Sequence, residues 1–500
     1  MSSLTGSTPA PAAKSSPQGS ALLRRVAGFR LIPAIDTYPR WVAFAQTTLG
    51  KVLLLTFFAA GLRLRLDPMT CLVITATVGA ATFLPDHRRW FVTGGTLVWA
   101  VMGSWFDWSA LGYVAERNGV GGALNLPNLQ AAAVAAVFIF GALLIGLARR
   151  HPQALPFRRP VLALVIFYTV LLVLASSVLS GRIGVGAWAL VIPLGAYFWF
   201  LAYAVVDARA KDGDSVGLQL GTFHPFWGST TTPLPKGAAY LRRVECKDAP
   251  ALAVTQLKAL KLLVWACILN IAGDLFVLIA HVELHVPSYK EAFKSVAAGA
   301  PFPWYVCWLS LISAFLEDVL ILSVWGHTVI ACCRMAGFRA LRNTYRPLAA
   351  TTIAEFWNRY YFYFKELLVD FFFYPAFFRY FKGRKRLRMA VATFMAAGLG
   401  NMFYHFTRDI GFVAQMGLWP AVKGFQVYAF YCFALSAAII ASQLRNRKHP
   451  SSSHWFWTSV SPRFGVLFSY CLLMVFADTD RTYSISVHFA FLLHLFGIGA

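Results

Sequence analysis

The feature that most limits how this chain can fold is a recurring apolar run. Stretches of about 20 residues with few charges follow one another from end to end, each long enough to cross a bilayer as a helix. Lipid offers no partner for backbone N–H and C=O groups, so a spanning segment must be a helix or part of a closed barrel. Barrel strands alternate apolar and polar residues, and these runs do not. The expected fold class is all-α: a polytopic integral membrane protein with roughly 11–12 transmembrane helices. The runs fall at 43–62, 68–85, 90–106, 131–148, 160–180, 185–206, 257–281, 303–333, 389–410, 424–444, 464–477 and 484–498. Only 13% of the residues are charged, against about 25% in a typical soluble domain.

The charge that is present is lopsided, with 45 Lys and Arg against 21 Asp and Glu. Nucleic acid is not the expected partner, because the basic residues lie in loops between apolar runs, where they orient helices and meet anionic membrane lipids. Arg24, Arg25 and Arg30 precede the first run. Arg88 and Arg89 follow the second, and Arg149, Arg150, Arg158 and Arg159 follow the fourth. The 207–256 loop carries Arg209, Lys211, Lys236, Arg242, Arg243 and Lys247, and Arg445, Arg447 and Lys448 follow the tenth run. All fall on one side, which is expected to be cytoplasmic. The loops at 106–130, 282–302, 411–423 and 478–483 are poorer in Lys and Arg, while Arg63 and Arg65 break the pattern. Residues 1–20, rich in Ser, Pro and Ala, read as a disordered tail. The eight Cys form no CxxC pair, so neither a zinc site nor a disulfide framework is expected.

Residues 334–388 have much apolar surface but no clean span. "RYYFYFKELLVDFFFYPAFFRYF" (359–381) is interrupted by Lys365, Glu366, Asp370 and Pro375. It suits a re-entrant helix lining a cavity, or an amphipathic helix on the cytoplasmic leaflet. Further on, "GLGNMFYHF" (398–406) puts Asn401 and His405 one turn apart on one helix face. Two polar side chains inside an apolar helix serve either as interhelical glue or as a site.

Set side by side, these stretches resemble the membrane-bound O-acyltransferase family. The resemblance rests on Gly337-Phe338, on Asn343 to Pro347, on Thr351 through Arg359 ("TTIAEFWNR"), on Val369-Asp370 and on Gly398-Leu399-Gly400-Asn401. It covers roughly 325–410, with a looser likeness in "FHPFWGSTTTPLPKG" (223–237). The chain departs from the family at two places. Tyr361 stands where many bacterial members have a His, and Asn401 stands where the catalytic His of Gly-Leu-Trp-His falls. His405 is four residues on.

The resemblance implies an O-acyltransferase core at 257–444, flanked by a tail (1–40), N-terminal helices (41–206), a cytoplasmic loop (207–256) and C-terminal helices (445–500), in a bacterial inner membrane. It implies acyl transfer from a thioester donor, acyl-CoA or an acyl carrier protein, to a hydroxylated lipid, glycan or metabolite, with no cofactor and no metal. Removing the hydroxyl proton calls for a base, a role that suits His405. Asn401 cannot be the base but can donate to an oxyanion. Trp357, Arg359, Tyr361 and His327 are the expected substrate-binding residues, with Trp357 and Arg359 facing a central cavity. The alternatives left open are a transporter or flippase with a midplane polar site, and an inactive family member acting as a partner protein.

Weaker candidates remain. Glu317 and Asp318 lie inside an apolar run and could line the acceptor path or pair with Arg359. "HVELH" (281–285) has metal-ligand spacing but no third ligand. Asp478 and Asp480 read as turn caps. "RYFKGRKRLR" (379–388) offers cations for the donor's phosphates or for positive-inside anchoring.

Overall fold

The computed structural model describes residues 31–102, 108–210, 213–223, 236–445, 456–477, 481 and 483–498. Among them the protein is helical throughout and has no strand, only an isolated antiparallel bridge between Glu245 and Phe338. Six helices are long and apolar enough to span a membrane: Leu126–Arg150, Pro160–Val178, Gly181–Ala208, Ala249–Glu283, Trp304–Met335 and Gln426–Leu444. The all-α polytopic membrane fold expected from the apolar runs is therefore the fold observed.

Several of the other runs are shorter or broken. Pro39–Gln46 and Thr48–Arg63 meet at 95°. Thr47 caps the second of them by accepting from Gly50 N at 3.0 Å. Gly is required there, since a Cβ on Gly50 would lie 1.9 Å from the Phe44 carbonyl oxygen. The 389–410 run is interrupted by a wide turn over Phe394–Gly400 between Lys385–Thr393 and Asn401–Arg408.

Gly181–Ala208 is the hub. Of its apolar window 83% is buried, against 17–39% for the other five spans, whose outer faces are left to lipid. The hub anchors the first of three main cores. The second gathers around Tyr240 and Val329 through Ala340, and the third around Phe315, Phe356, Leu435 and Tyr470. Trp357 packs against both the first and the third.

The basic loops meet at one end of the bundle. Arg89 pairs with Asp214 at 2.5 Å, and Arg149 donates to the Asp214 carbonyl at 2.9 Å. Arg88, 2% exposed, reaches Glu245 at 3.4 Å. The poorly charged loops meet at the other end, where Arg117 donates to Gln415 O at 3.4 Å and Asn118 Oδ1 accepts from Gly181 N at 3.0 Å. Of the two exceptions, Arg63 is exposed and Arg65 is half-buried. Arg65 donates to Asn270 Oδ1 at 3.0 Å and lies 5.2 Å from the Trp325 ring centre.

The blocks behind the family resemblance build an elbow. Gly337 has φ +94°, and a Cβ there would sit 2.6 Å from Arg88 Nε. Only glycine tolerates both the backbone and the approach. Asn343 Oδ1 accepts from Tyr363 N at 3.2 Å, and its carbonyl accepts from Phe362 N at 3.0 Å. It thereby caps the start of Phe362–Leu368. Tyr345 N donates to the Arg359 carbonyl at 2.7 Å, and Thr344 Oγ1 donates to the Tyr360 carbonyl at 2.9 Å. These two bonds close the end of Ile353–Tyr360. The aromatic stretch thus enters the bundle instead of lying flat. Phe356, Tyr363, Phe364, Leu367 and Leu368 are buried, and large exposed side chains resume only at Tyr374 and Phe378.

Candidate active site

His405 projects from Asn401–Arg408, which is docked on the hub. Trp199 Nε1 donates to Thr407 Oγ1 at 3.2 Å. Gly195 lets the two helices close, since a Cβ there would meet the Thr407 carbonyl oxygen at 2.8 Å. Just before Asn401, Gly400 admits the elbow's Phe372, whose ring would lie 2.6 Å from a Cβ at that position.

The imidazole of His405 is held on one edge. Its Nε2 is 2.7 Å from the Tyr428 hydroxyl. With the phenol as donor, the ring proton resides on Nδ1, which is buried and makes no hydrogen bond among the described residues. Tyr428 also packs on the ring at 4.4 Å, and Phe364 approaches edge-on at 6.0 Å. Tyr361 and Trp357 back this wall, at 5.1 Å and 6.1 Å from Phe364. Asn401, 1% exposed, lies one turn away on the same helix, with a buried Oδ1 that makes no hydrogen bond among the described residues. His405, Asn401, Trp357 and Tyr361 therefore belong to one region.

Three features of this region were not singled out in the sequence. The first is Tyr428 itself. The second is Tyr431, one turn further along Gln426–Leu444, with its ring 5.2 Å from that of Tyr428. Asp318 acts electrostatically on both Tyr431 and Tyr360. Asp318 is also solvent-exposed in the middle of Trp304–Met335. Tyr431, Tyr428 and His405 thus follow one another through ring contact and hydrogen bond, with Asp318 within electrostatic reach of Tyr431. The third feature is a charged cluster at the C-terminal end of the helix. Arg408 grips Asp409 at 2.7 and 3.2 Å, and Arg481 pairs with the same carboxylate. Both guanidiniums act on His405 electrostatically. Two cations and one anion leave net positive charge beside the ring. A pair of tyrosines three apart in an apolar helix was the available signal for Tyr428 and Tyr431.

Other expected residues lie elsewhere. His327 turns back on the carbonyl of Ser323, four residues earlier, and lies within electrostatic reach of Arg334 and Arg342 at the basic end. It is nine residues from Asp318, roughly 14 Å along the helix, and among the described residues no hydrogen bond or ring contact joins it to His405. Arg359 does not pair with Glu317 or Asp318. Its Nε and Nη2 bind Glu355 at 2.8 and 2.7 Å, because the i,i+4 partner on its own helix is the nearer carboxylate. Glu317 is taken by His281 at 2.8 Å. That pairing also disperses the "HVELH" spacing, since His285 turns to the Glu283 carbonyl at 3.0 Å. Among the described residues no three His, Cys, Asp or Glu side chains converge as metal ligands. Residues 224–235, most of the looser family likeness, lie outside the described residues, as do the N-terminal tail to residue 30, Arg447, Lys448, Asp478 and Asp480.

At the basic end the elbow is tied by ions. Lys236 reaches Glu366 at 2.5 Å and Asp370 at 3.1 Å, and Tyr203 donates to Asp370 at 2.9 Å. Burial alone would raise the Glu366 carboxyl, but hydrogen bonds from Lys236 and Lys365 hold it below its ordinary value. Burial likewise pulls Lys236 down, and its two carboxylate partners outweigh that and raise it.

A scan against protein-family models and a search of curated proteins both find no match to this chain.

Proposed function

We propose that the protein is an integral-membrane O-acyltransferase of the membrane-bound O-acyltransferase type, in a bacterial inner membrane. A thioester donor, acyl-CoA or an acyl carrier protein, approaches from the cytoplasmic, basic face. The acceptor is a hydroxyl on a lipid, glycan or metabolite that arrives from the opposite side. The observation that carries this reading is the His405–Tyr428 hydrogen bond at 2.7 Å, inside an aromatic-walled region of a membrane bundle.

A base must take the acceptor's proton as its oxygen attacks the thioester carbonyl carbon. Because Tyr428 covers Nε2, the proton passes through the phenol. Its oxygen takes the acceptor's proton while its own proton moves to Nε2. The resulting oxyanion is met by Asn401 and by the positive charge of Arg408 and Arg481. Collapse breaks the C–S bond, and the leaving thiolate takes from His405, through Tyr428, the proton that the acceptor gave up. Trp357 and Tyr361 shape the wall along which the acyl chain lies. Arg359 positions the elbow through Glu355, and His327 lines the donor side.

The test is turnover by the purified protein in vesicles. Acetyl-, octanoyl- and palmitoyl-CoA serve as donors and a membrane extract as acceptor. The readouts are free thiol release and a gained acyl mass in the extract. His405→Ala should abolish transfer while thioester binding persists. If it keeps wild-type turnover, His405 is not the base and His327 becomes the next residue to vary.

A further inference from the structure

A cavity lies at the basic end of the bundle. It is a cleft of 880 Å³ between the start of Pro160–Val173, the hub and the elbow. Its floor is apolar, from Val161, Leu162 and Val165 on one side to Phe371, Phe372 and Met395 on the other. Its rim carries Arg158, Arg159, Arg243 and Arg379, all exposed. No carboxylate among the described residues pairs with any of these four, while Arg243 lies over the Tyr240 ring at 5.5 Å and Arg379 over the Tyr380 ring at 5.6 Å. The cleft's own acids are already engaged. Asp370 holds Lys236 and Tyr203, and Asp207 accepts from Ala239 N at 2.9 Å.

On the other flank of the same helix start is a trough of 510 Å³, lined by apolar groups such as Phe140, Leu144, Phe157 and Phe167. Arg159, Pro160 and Leu162 line both hollows. Beyond them the helix presents Leu162, Ile166 and Val170 at 50–56% exposure, as a lipid-facing surface does. Both hollows are therefore open to the bilayer and meet at one cationic point.

We propose that the two hollows together hold one anionic diacyl phospholipid of the cytoplasmic leaflet. Its phosphate would lie on Arg158 and Arg159, with Arg243 and Arg379 around it and one acyl chain in each hollow. Charge complementarity selects the headgroup, because unpaired guanidiniums bind phosphate oxygens strongly and in fixed geometry. The twin hollows select a two-chain lipid over a single-chain thioester, which would fill one and leave the other empty.

The experiment is native mass spectrometry of the full-length protein in detergent. The probes are dipalmitoyl phosphatidylglycerol, dipalmitoyl phosphatidylcholine, palmitoyl-CoA and inorganic phosphate. One phosphatidylglycerol per chain should be held in preference to phosphatidylcholine. The triple variant Arg158→Ala, Arg159→Ala, Arg243→Ala should weaken it on the order of a hundredfold, taking about fivefold per guanidinium at a membrane surface. Leu162→Trp blocks the hollows and leaves every arginine in place. It should also weaken the lipid, and it decides the matter if the triple variant does not fold. Unchanged phosphatidylglycerol binding in Leu162→Trp, or phosphatidylcholine held as tightly, would overturn the proposal. So would displacement of the lipid by equimolar palmitoyl-CoA, which would assign the cleft to the donor, or by inorganic phosphate.

Discussion

Replacing Tyr428 by Phe separates two roles that its hydroxyl can have. The phenol and His405 Nε2 are 2.7 Å apart, and the tilted ring contact at 4.4 Å survives in the variant. If the hydroxyl only orients the imidazole, its loss removes one hydrogen bond, about 1 kcal/mol, and turnover falls roughly fivefold. If it relays the proton, its loss removes the path to the base, and turnover falls by about 10² to 10⁴. The cycle is completed with His405→Ala and the double variant, assayed by thiol release at saturating palmitoyl-CoA. Groups that act as one unit are strongly non-additive. A relay therefore predicts that the double variant is no slower than His405→Ala alone, and that both Tyr428 variants still bind the thioester. Losses that multiply, or a Tyr428→Phe enzyme within about fivefold of wild type, would refute the relay. Since Nδ1 has no hydrogen-bond partner among the described residues, no second polar contact is there to keep the ring in place and blur the result.

Four further outcomes follow from the same geometry. Asn401→Ala should slow transfer by about 10² to 10³ at most, the usual cost of one oxyanion donor; a complete loss equal to that of His405→Ala would argue that Asn401 does more. Gly337→Ala should destabilise the protein in detergent by about 2 kcal/mol or more, seen as a lower unfolding temperature, because a side chain at φ +94° is strained and its Cβ displaces Arg88; Gly94→Ala, with nothing within 4 Å of its Cβ, is the control that should not destabilise. Glu366, held below its ordinary 4.5, stabilises the fold above that pH and loses the contribution as pH falls through its folded value, whereas Lys236, held above 10.5, loses its share only in alkali; Glu366→Gln should therefore unfold at a lower temperature than wild type at pH 7, and a gap that stays the same well below pH 4.5 would contradict the ion-cluster account. Cysteines introduced near Lys236 and Lys385 should resist an impermeant thiol reagent in intact cells until the membrane is opened, and labelling from outside would reverse the orientation.

The sequence by itself determined the all-α membrane fold and the six long spans, which fall on six of the twelve apolar runs, because a bilayer selects spans by length and apolarity, which are local properties read residue by residue. Leu126–Arg150, Gly181–Ala208, Trp304–Met335 and Gln426–Leu444 all cover apolar runs legible from composition. So does the face shared by Asn401 and His405, since a helix places i and i+4 together wherever it packs. Only the tertiary structure decided which helix is the hub, because burial depends on neighbours and not on hydropathy, and the apolarity of Gly181–Ala208 falls within the range of the other five spans. It also decided the partners. Tyr428 meets His405 across 23 residues, Trp199 meets Thr407 across 208, and Arg359 takes Glu355 while Glu317 goes to His281. Hydrogen bonds and ion pairs act over a few ångströms of space, and no spacing along the chain encodes which distant side chain the folded bundle brings within that reach.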